Sequence, residues 1–186
     1  MEKRINVSRS KTQNITMDMT DMTSIGASYS HIKSLKNIVN KSTNKIIMYH
    51  TLLESLDGLE QSDGIDLAYL GFNRIKSFSS QDQNIKKINV LDLVGNPIES
   101  LEYCPPCDIL IISSTRIKNL FGCPEDVKII RCGHSCFIES LAGCPKSVKI
   151  IECSCSPNLK INKNDLPDDL EELITDDENF VWEPKN

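Results

Sequence analysis

The feature that most constrains this chain is an echo at a distance of 21 residues. Leu120-Phe121-Gly122-Cys123-Pro124 returns as Leu141-Ala142-Gly143-Cys144-Pro145. Behind each comes a matching segment, Val127-Lys128-Ile129-Ile130-Arg131-Cys132 and then Val148-Lys149-Ile150-Ile151-Glu152-Cys153. A fixed period near 20 residues signals stacked supersecondary units, none able to bury its apolar edge alone. The period runs almost end to end. The apolar pair opening each unit is Ile5/Val7, Ile25/Ala27, Ile46/Met48, Ala68/Leu70, Leu91/Leu93, Leu110/Ile112, Ile130/Cys132, Ile151/Cys153 and Leu173/Thr175, at offsets of 20, 21, 22, 23, 19, 20, 21 and 22 residues. Nine turns follow, the first two and the last weakest in pattern, as end turns that present a polar cap should be.

Each position in the period has a physical reason. The opening pair alternates with period two, as in a strand buried on one face. Three residues past the pair stands Asn73 or Asn96, whose amide can pair backbone groups buried at a bend. Ser10, Ser30, Thr51, Thr115 and Ser135 take this place elsewhere, and Glu178 takes it in the last turn, which suggests a cap. Later apolar sites (Ile15, Leu35, Leu56, Phe78, Leu101, Leu120, Leu141) fill the core from the other side. Repeats this short leave little room for a full helix there, so extended or 3₁₀ segments are expected. Cys132 to Ile138 and Cys153 to Leu159 carry one extra residue, which a local bulge absorbs more easily than a register slip.

Ile88 to Leu101 fits LxxLxLxxNxLxxL in full, and Ile65 to Phe78 fits it with Leu70, Asn73 and Ile75 in place. On these residues the chain resembles the leucine-rich-repeat family. That resemblance implies a solenoid of about nine short repeats with a parallel β-sheet on its concave face and extended or 3₁₀ segments on the convex face. The chain reads as one such domain: capping and weak repeats over 1–42, clear repeats over 43–165, and a C-terminal cap with an acidic tail over 166–186. The Gly-Cys-Pro style, with Lys-Ile-Ile-x-Cys behind it, is similar to repeats encoded by large DNA viruses of the iridovirus, marseillevirus and mimivirus kind. The resemblance implies a protein partner, either a host factor or a virion protein, met in the host cytoplasm or in the particle. Bacterial effector ligases carry similar short repeats, but no further domain is expected here to hold their catalytic cysteine.

The chain's 186 residues suit one domain, and its formal net charge of −5 argues against general nucleic-acid binding, which needs a basic surface. Only the end, from Asp168 to Glu183, is clearly acidic; a solvated face or cap is the expected reading. No apolar stretch follows Met1-Glu2-Lys3-Arg4-Ile5-Asn6, and no window is long enough to span a bilayer, so a soluble cytoplasmic protein is expected.

Eight cysteines then read as thiols rather than a disulfide framework. Cys104, Cys123 and Cys144 share one repeat position, and Cys132 and Cys153 share another, so they stack as columns of small buried hydrophobes. Cys104-Pro105-Pro106-Cys107 has the spacing of a metal knuckle or redox pair, but Cys107 coincides with an apolar register position. His50 and His134 stand at one repeat position four turns apart, about 19 Å at strand spacing, too far to share a metal. Nothing in the register brings a Ser/His/Asp or Cys/His set together. Neither an enzyme nor a cofactor is expected.

Function would then sit on the outward residues of the strands. Leu67, Val90, Ile109, Ile129 and Ile150 put an aliphatic residue outward in five consecutive turns, forming an apolar strip. Aromatic anchors stand near one end at Tyr49, Tyr69 and Phe72, and Ile111 and Arg131 flank the strip. These ten residues are the expected protein-binding site. The competing readings are a structural component of a viral particle or other assembly, and a zinc or redox protein using Cys104 and Cys107.

Overall fold

The computed structural model describes residues 3–13, 15, 21–178 and 180. Nine short strands stack in chain order into one parallel sheet: β1 (Arg4–Asn6), β2 (Ser24–Gly26), β3 (Lys45–Ile47), β4 (Ile65–Tyr69), β5 (Ile88–Asp92), β6 (Cys107–Ile111), β7 (Ile129–Arg131), β8 (Ile150–Glu152) and β9 (Glu172–Ile174). Each pairs only with its predecessor and successor in the chain, so the molecule is a parallel β-solenoid and one coil is one repeat. The pairing runs Ile5, Ile25, Ile46, Ala68, Leu91, Leu110, Ile130, Ile151, Leu173, every step joining the residues that the sequence period aligns. The mainly-β repeat solenoid expected from the period is therefore the observed fold.

Period-two alternation decides which side chains go in. Ile25, Ile46, Ala68, Leu91, Leu110, Ile130 and Ile151 are fully buried, and so are their partners Ala27, Met48, Leu70, Leu93 and Cys153. The anchors from the other side, including Leu35, Leu56, Leu101, Leu120 and Leu141, complete one continuous core. Each such aliphatic contributes about 1.5–3 kcal/mol, so a coil is stable only between two neighbours. Leu173 in the last coil is only partly buried, as an end turn should be.

The return path contains no α-helix among the described residues, only short 3₁₀ segments at Leu59–Gln61, Ser80–Asn84 and Lys163–Asp165. Hydrogen bonds also tie turn to turn there: Glu99 N–H to the Lys76 carbonyl at 3.3 Å, Glu139 to Lys118 at 2.9 Å, Lys160 to Glu139 at 3.0 Å. The coils are thus held at hydrogen-bond spacing on both sides. The exposed residues of this back row alternate in sign, Lys33, Glu54, Lys76, Glu99, Lys118, Glu139, Lys160, so each charge has opposite neighbours one coil away. Lys118 and Glu139 meet at 3.2 Å.

Where each of the first eight strands ends, the chain bends through a left-handed residue. Arg9, Tyr29, His50, Phe72, Gly95, Ser114, His134 and Cys155 form this column, with φ between 52° and 67°. The polar position follows at once. Asn73 Nδ2 donates to the Met48 carbonyl of the preceding coil at 2.7 Å and to its own Leu70 carbonyl at 2.9 Å. Thr115 and Ser135 do part of this work, donating to the Ile112 and Thr115 carbonyls. Glu178 at this site is exposed, unlike the buried Ser30, Thr51, Asn73, Asn96, Thr115 and Ser135. The extra residue after Cys132 sits in a small bulge where the Ser135 hydroxyl accepts the Phe137 and Ile138 N–H groups. Asn158, in the next coil's matching insertion, donates to the Cys136 carbonyl at 2.7 Å, so the two insertions stack and the register survives.

Candidate protein-binding face

Three columns of side chains stand on the solvent side of the sheet. The first carries Leu67, Val90, Ile109, Ile129 and Ile150, register partners on β4 to β8, every one half-buried. Their exposure is neither that of a core nor that of isolated surface residues, because each is covered on two sides by its equivalents one coil away. Lys45 on β3 and Glu172 on β9 close the column.

The second column runs Ile47, Tyr69, Asp92, Ile111, Arg131, Glu152, Ile174. Arg131 and Glu152 are ion-paired at 3.0 Å, and Ile174 is 41% exposed. Asp92 is buried although it points outward, because its carboxylate is fully engaged. Oδ1 accepts the Val94 N–H at 2.9 Å, and Oδ2 accepts the hydroxyl of Tyr49. Tyr49 belongs to β3's coil and Asp92 to β5, so its ring spans the coil between. Gly71 allows this: a Cβ there would lie 2.5 Å from the Tyr49 ring and 2.6 Å from Val94. Burial, then the hydrogen bond to Asp92, pushes the Tyr49 phenol well above its ordinary range. Tyr69 packs beside it, ring centroids 6.1 Å apart.

Phe72 lies in the left-handed column at the edge of the face. There Tyr29, His50 and Phe72 stack in register, centroids 4.9 and 4.6 Å apart and planes 14° and 4° from parallel. Tyr29 is 56% and Phe72 46% exposed. Gly95 ends the ladder, and the Phe72 ring fills the space where its Cβ would be. Non-glycine left-handed residues cost about 1–3 kcal/mol each. The chain places large rings where glycine would be easier, and strained positions of that kind cluster at working surfaces.

The ten expected residues thus fall on one connected surface. Tyr49, Tyr69 and Phe72 gather at the β3–β4 end, and the aliphatic residues and Ile111 run on to β8, with Arg131 paired at the far end. Tyr29 and His50 join the surface through ring stacking. Their stacking follows from the bend conformation, which no local residue pattern announces.

The buried thiols are elsewhere. Cys104 and Cys107 are both buried, and Cys107 pairs with Ile88 in the sheet. Burial and the neighbouring Cys107 push the Cys104 thiol up, burial raises Cys123 and Cys132, and it takes Cys144 up to about 12 and Cys153 to about 11. Such thiols stay protonated, a poor state for nucleophilic attack or metal ligation. Among the described residues no three His, Cys, Asp or Glu side chains converge to hold a metal ion. No described helix is long and apolar enough to cross a membrane. An open cleft of about 640 Å³ lies at the C-terminal end, between Cys155–Ile161 and Thr175–Glu178, away from the aliphatic column.

The sequence matches no known family profile, and no similar protein is found among curated ones.

Proposed function

We propose that this chain is a non-enzymatic protein-binding scaffold of the leucine-rich-repeat kind, docking its partner on the outer face of the sheet. One observation carries the reading: five consecutive coils each present a half-buried aliphatic side chain, and the row leads into five clustered aromatic rings. A contiguous apolar row with aromatic anchors at one end and a charged rim is the anatomy of a protein interface. A parallel scaffold held by hydrogen bonds front and back loses little order on binding, which favours affinity. On the resemblance to repeats of large DNA viruses, the partner is a host factor or a virion protein, met in the host cytoplasm or in the particle.

The test is a matched set of captures with purified chain. Ile109→Asp plus Ile129→Asp should abolish capture while thermal melting stays cooperative. Lys76→Ala, on the back row, should leave it unchanged. Equal capture by all three proteins would refute the proposed face.

A further inference from the structure

The charges on this face are arranged so that it complements itself. In the first column Lys45 stands at one end, Glu172 at the other, and the five aliphatics lie between, with Ile109 on β6 at the centre. Lys45 and Glu172 have no ion-pair partner among the described residues, whereas Lys87–Asp108, Arg131–Glu152 and Lys149–Glu171 are all paired within the chain. Two unmatched charges of opposite sign close the apolar row symmetrically.

We infer that this face also accepts a second copy of the chain, packed face to face with its stacking axis reversed; the inference rests on the protein-binding reading above. A two-fold axis lying along β6 sets β3 opposite β9, β4 opposite β8 and β5 opposite β7 of the second copy. Lys45 then faces Glu172 at both ends of the interface, and the aliphatic residues face one another. The second column obeys the same symmetry. Ile47 meets Ile174, Tyr69 meets Glu152 and Ile111 meets itself, while Asp92 lies opposite Arg131 with both charges already engaged within the chain. In the third column, the row Tyr49, Gly71, Val94, Ser113, Gly133, Ser154 just before the left-handed residues, Gly71 meets Ser154 and Val94 meets Gly133, so small residues lie opposite equal or larger ones. The one like-charged meeting is Asp108 with itself at the rim, where each copy's Lys87 neutralises it at 2.7 Å. A self-complementary patch of this kind is what a closed two-fold dimer requires. The geometry permits it because the coils are tied at one spacing front and back, leaving the face open to another sheet face rather than closed into a groove.

Sedimentation of purified protein across a concentration series tests the pairing. Wild-type chain should dimerise, and Ile109→Asp, on the axis, should abolish dimers. Lys45→Glu and Glu172→Lys should each weaken dimerisation on the order of tenfold, because each places like charges together twice. An equimolar mixture of these two variants should recover wild-type affinity, since every end contact then joins a lysine to a glutamate. Both positions are unpaired on the surface, so circular dichroism should show each variant folded. A wild-type monomer at every concentration overturns the self-pairing, as does a dimer indifferent to the charge reversals or to mixing. If self-pairing fails while Ile109→Asp plus Ile129→Asp still abolishes capture of another protein, only the identity of the partner was wrong.

Discussion

Asn96 reaches back one coil: its Nδ2 donates to the Leu70 carbonyl at 2.9 Å, and its Oδ1 accepts the Ile75 N–H at 3.1 Å. Asn73 does the same for the coil before it, through the Met48 carbonyl and the Leu53 N–H. The two asparagines therefore stitch their coils to the preceding ones as well as closing their own bends. Asn96→Ala strips the buried Ile75 N–H of its acceptor and should cost about 2 kcal/mol. Thr115→Ala removes one bond to the Ile112 carbonyl and should cost about 1 kcal/mol. Urea denaturation of the two variants checks the order.

The left-handed column makes an unusual prediction in the stabilising direction. His134 has φ 53° and no ring partner, so His134→Gly should relieve strain and raise stability by about 1 kcal/mol. The reverse holds at Gly143, with φ 84°, where a Cβ would lie 2.5 Å from the Phe121 backbone nitrogen. Gly143→Ala should destabilise by about 2 kcal/mol or more, since backbone cannot move aside cheaply. Opposite shifts in melting temperature are the expected result.

The Tyr49–Asp92 bond gives a pH dependence with a definite sign. A phenol raised above its ordinary value near 10 favours the neutral form in the folded chain. Its contribution is fully present below about pH 10 and is lost as pH rises further, because the unfolded chain then ionises first. Stability measured between pH 8 and about 11 should fall, and Tyr49→Phe should flatten that part of the fall. A Tyr49→Phe profile as steep as wild type would remove Tyr49 as the cause.

Most of the scaffold was legible in the sequence because the solenoid repeats one small physical problem in every coil. A strand must bury alternate side chains, so the pairs from Ile5/Val7 to Leu173/Thr175 could be aligned by period alone, and all eight strand pairings follow that alignment. The outward strip was legible for the same reason, as the complement of the inward pair. What was not legible depends on contacts between coils that differ from repeat to repeat. Tyr49 reaches Asp92 only because Gly71 leaves room, and three positions chosen together carry no local signature. The aromatic ladder likewise needs Tyr29, His50 and Phe72 to share a left-handed bend, a conformation that tyrosine and phenylalanine do not favour.

Thiol chemistry separates a scaffold from a redox protein. Cys136 and Cys155 are exposed; the other six are buried or partly buried, and burial raises five of them. An aromatic disulfide reagent should label Cys136 and Cys155 promptly and reach the other thiols only on unfolding. Fast labelling of Cys104 or Cys107 in native protein would favour a redox role for that pair.

The central claim is that Leu67, Val90, Ile109, Ile129 and Ile150 stand on the solvent side while Ala68, Leu91, Leu110, Ile130 and Ile151 stand inside. A methyl-labelled sample of dilute protein, exposed to a soluble paramagnetic agent, tests this residue by residue. The account predicts that the first set of methyl signals broadens strongly and the second stays sharp, with the methyls of Leu67 showing proximity to Val90 and not to Leu91. Broadening of the second set instead would mean a register slipped by one residue, which turns the proposed binding face into the core and contradicts the account.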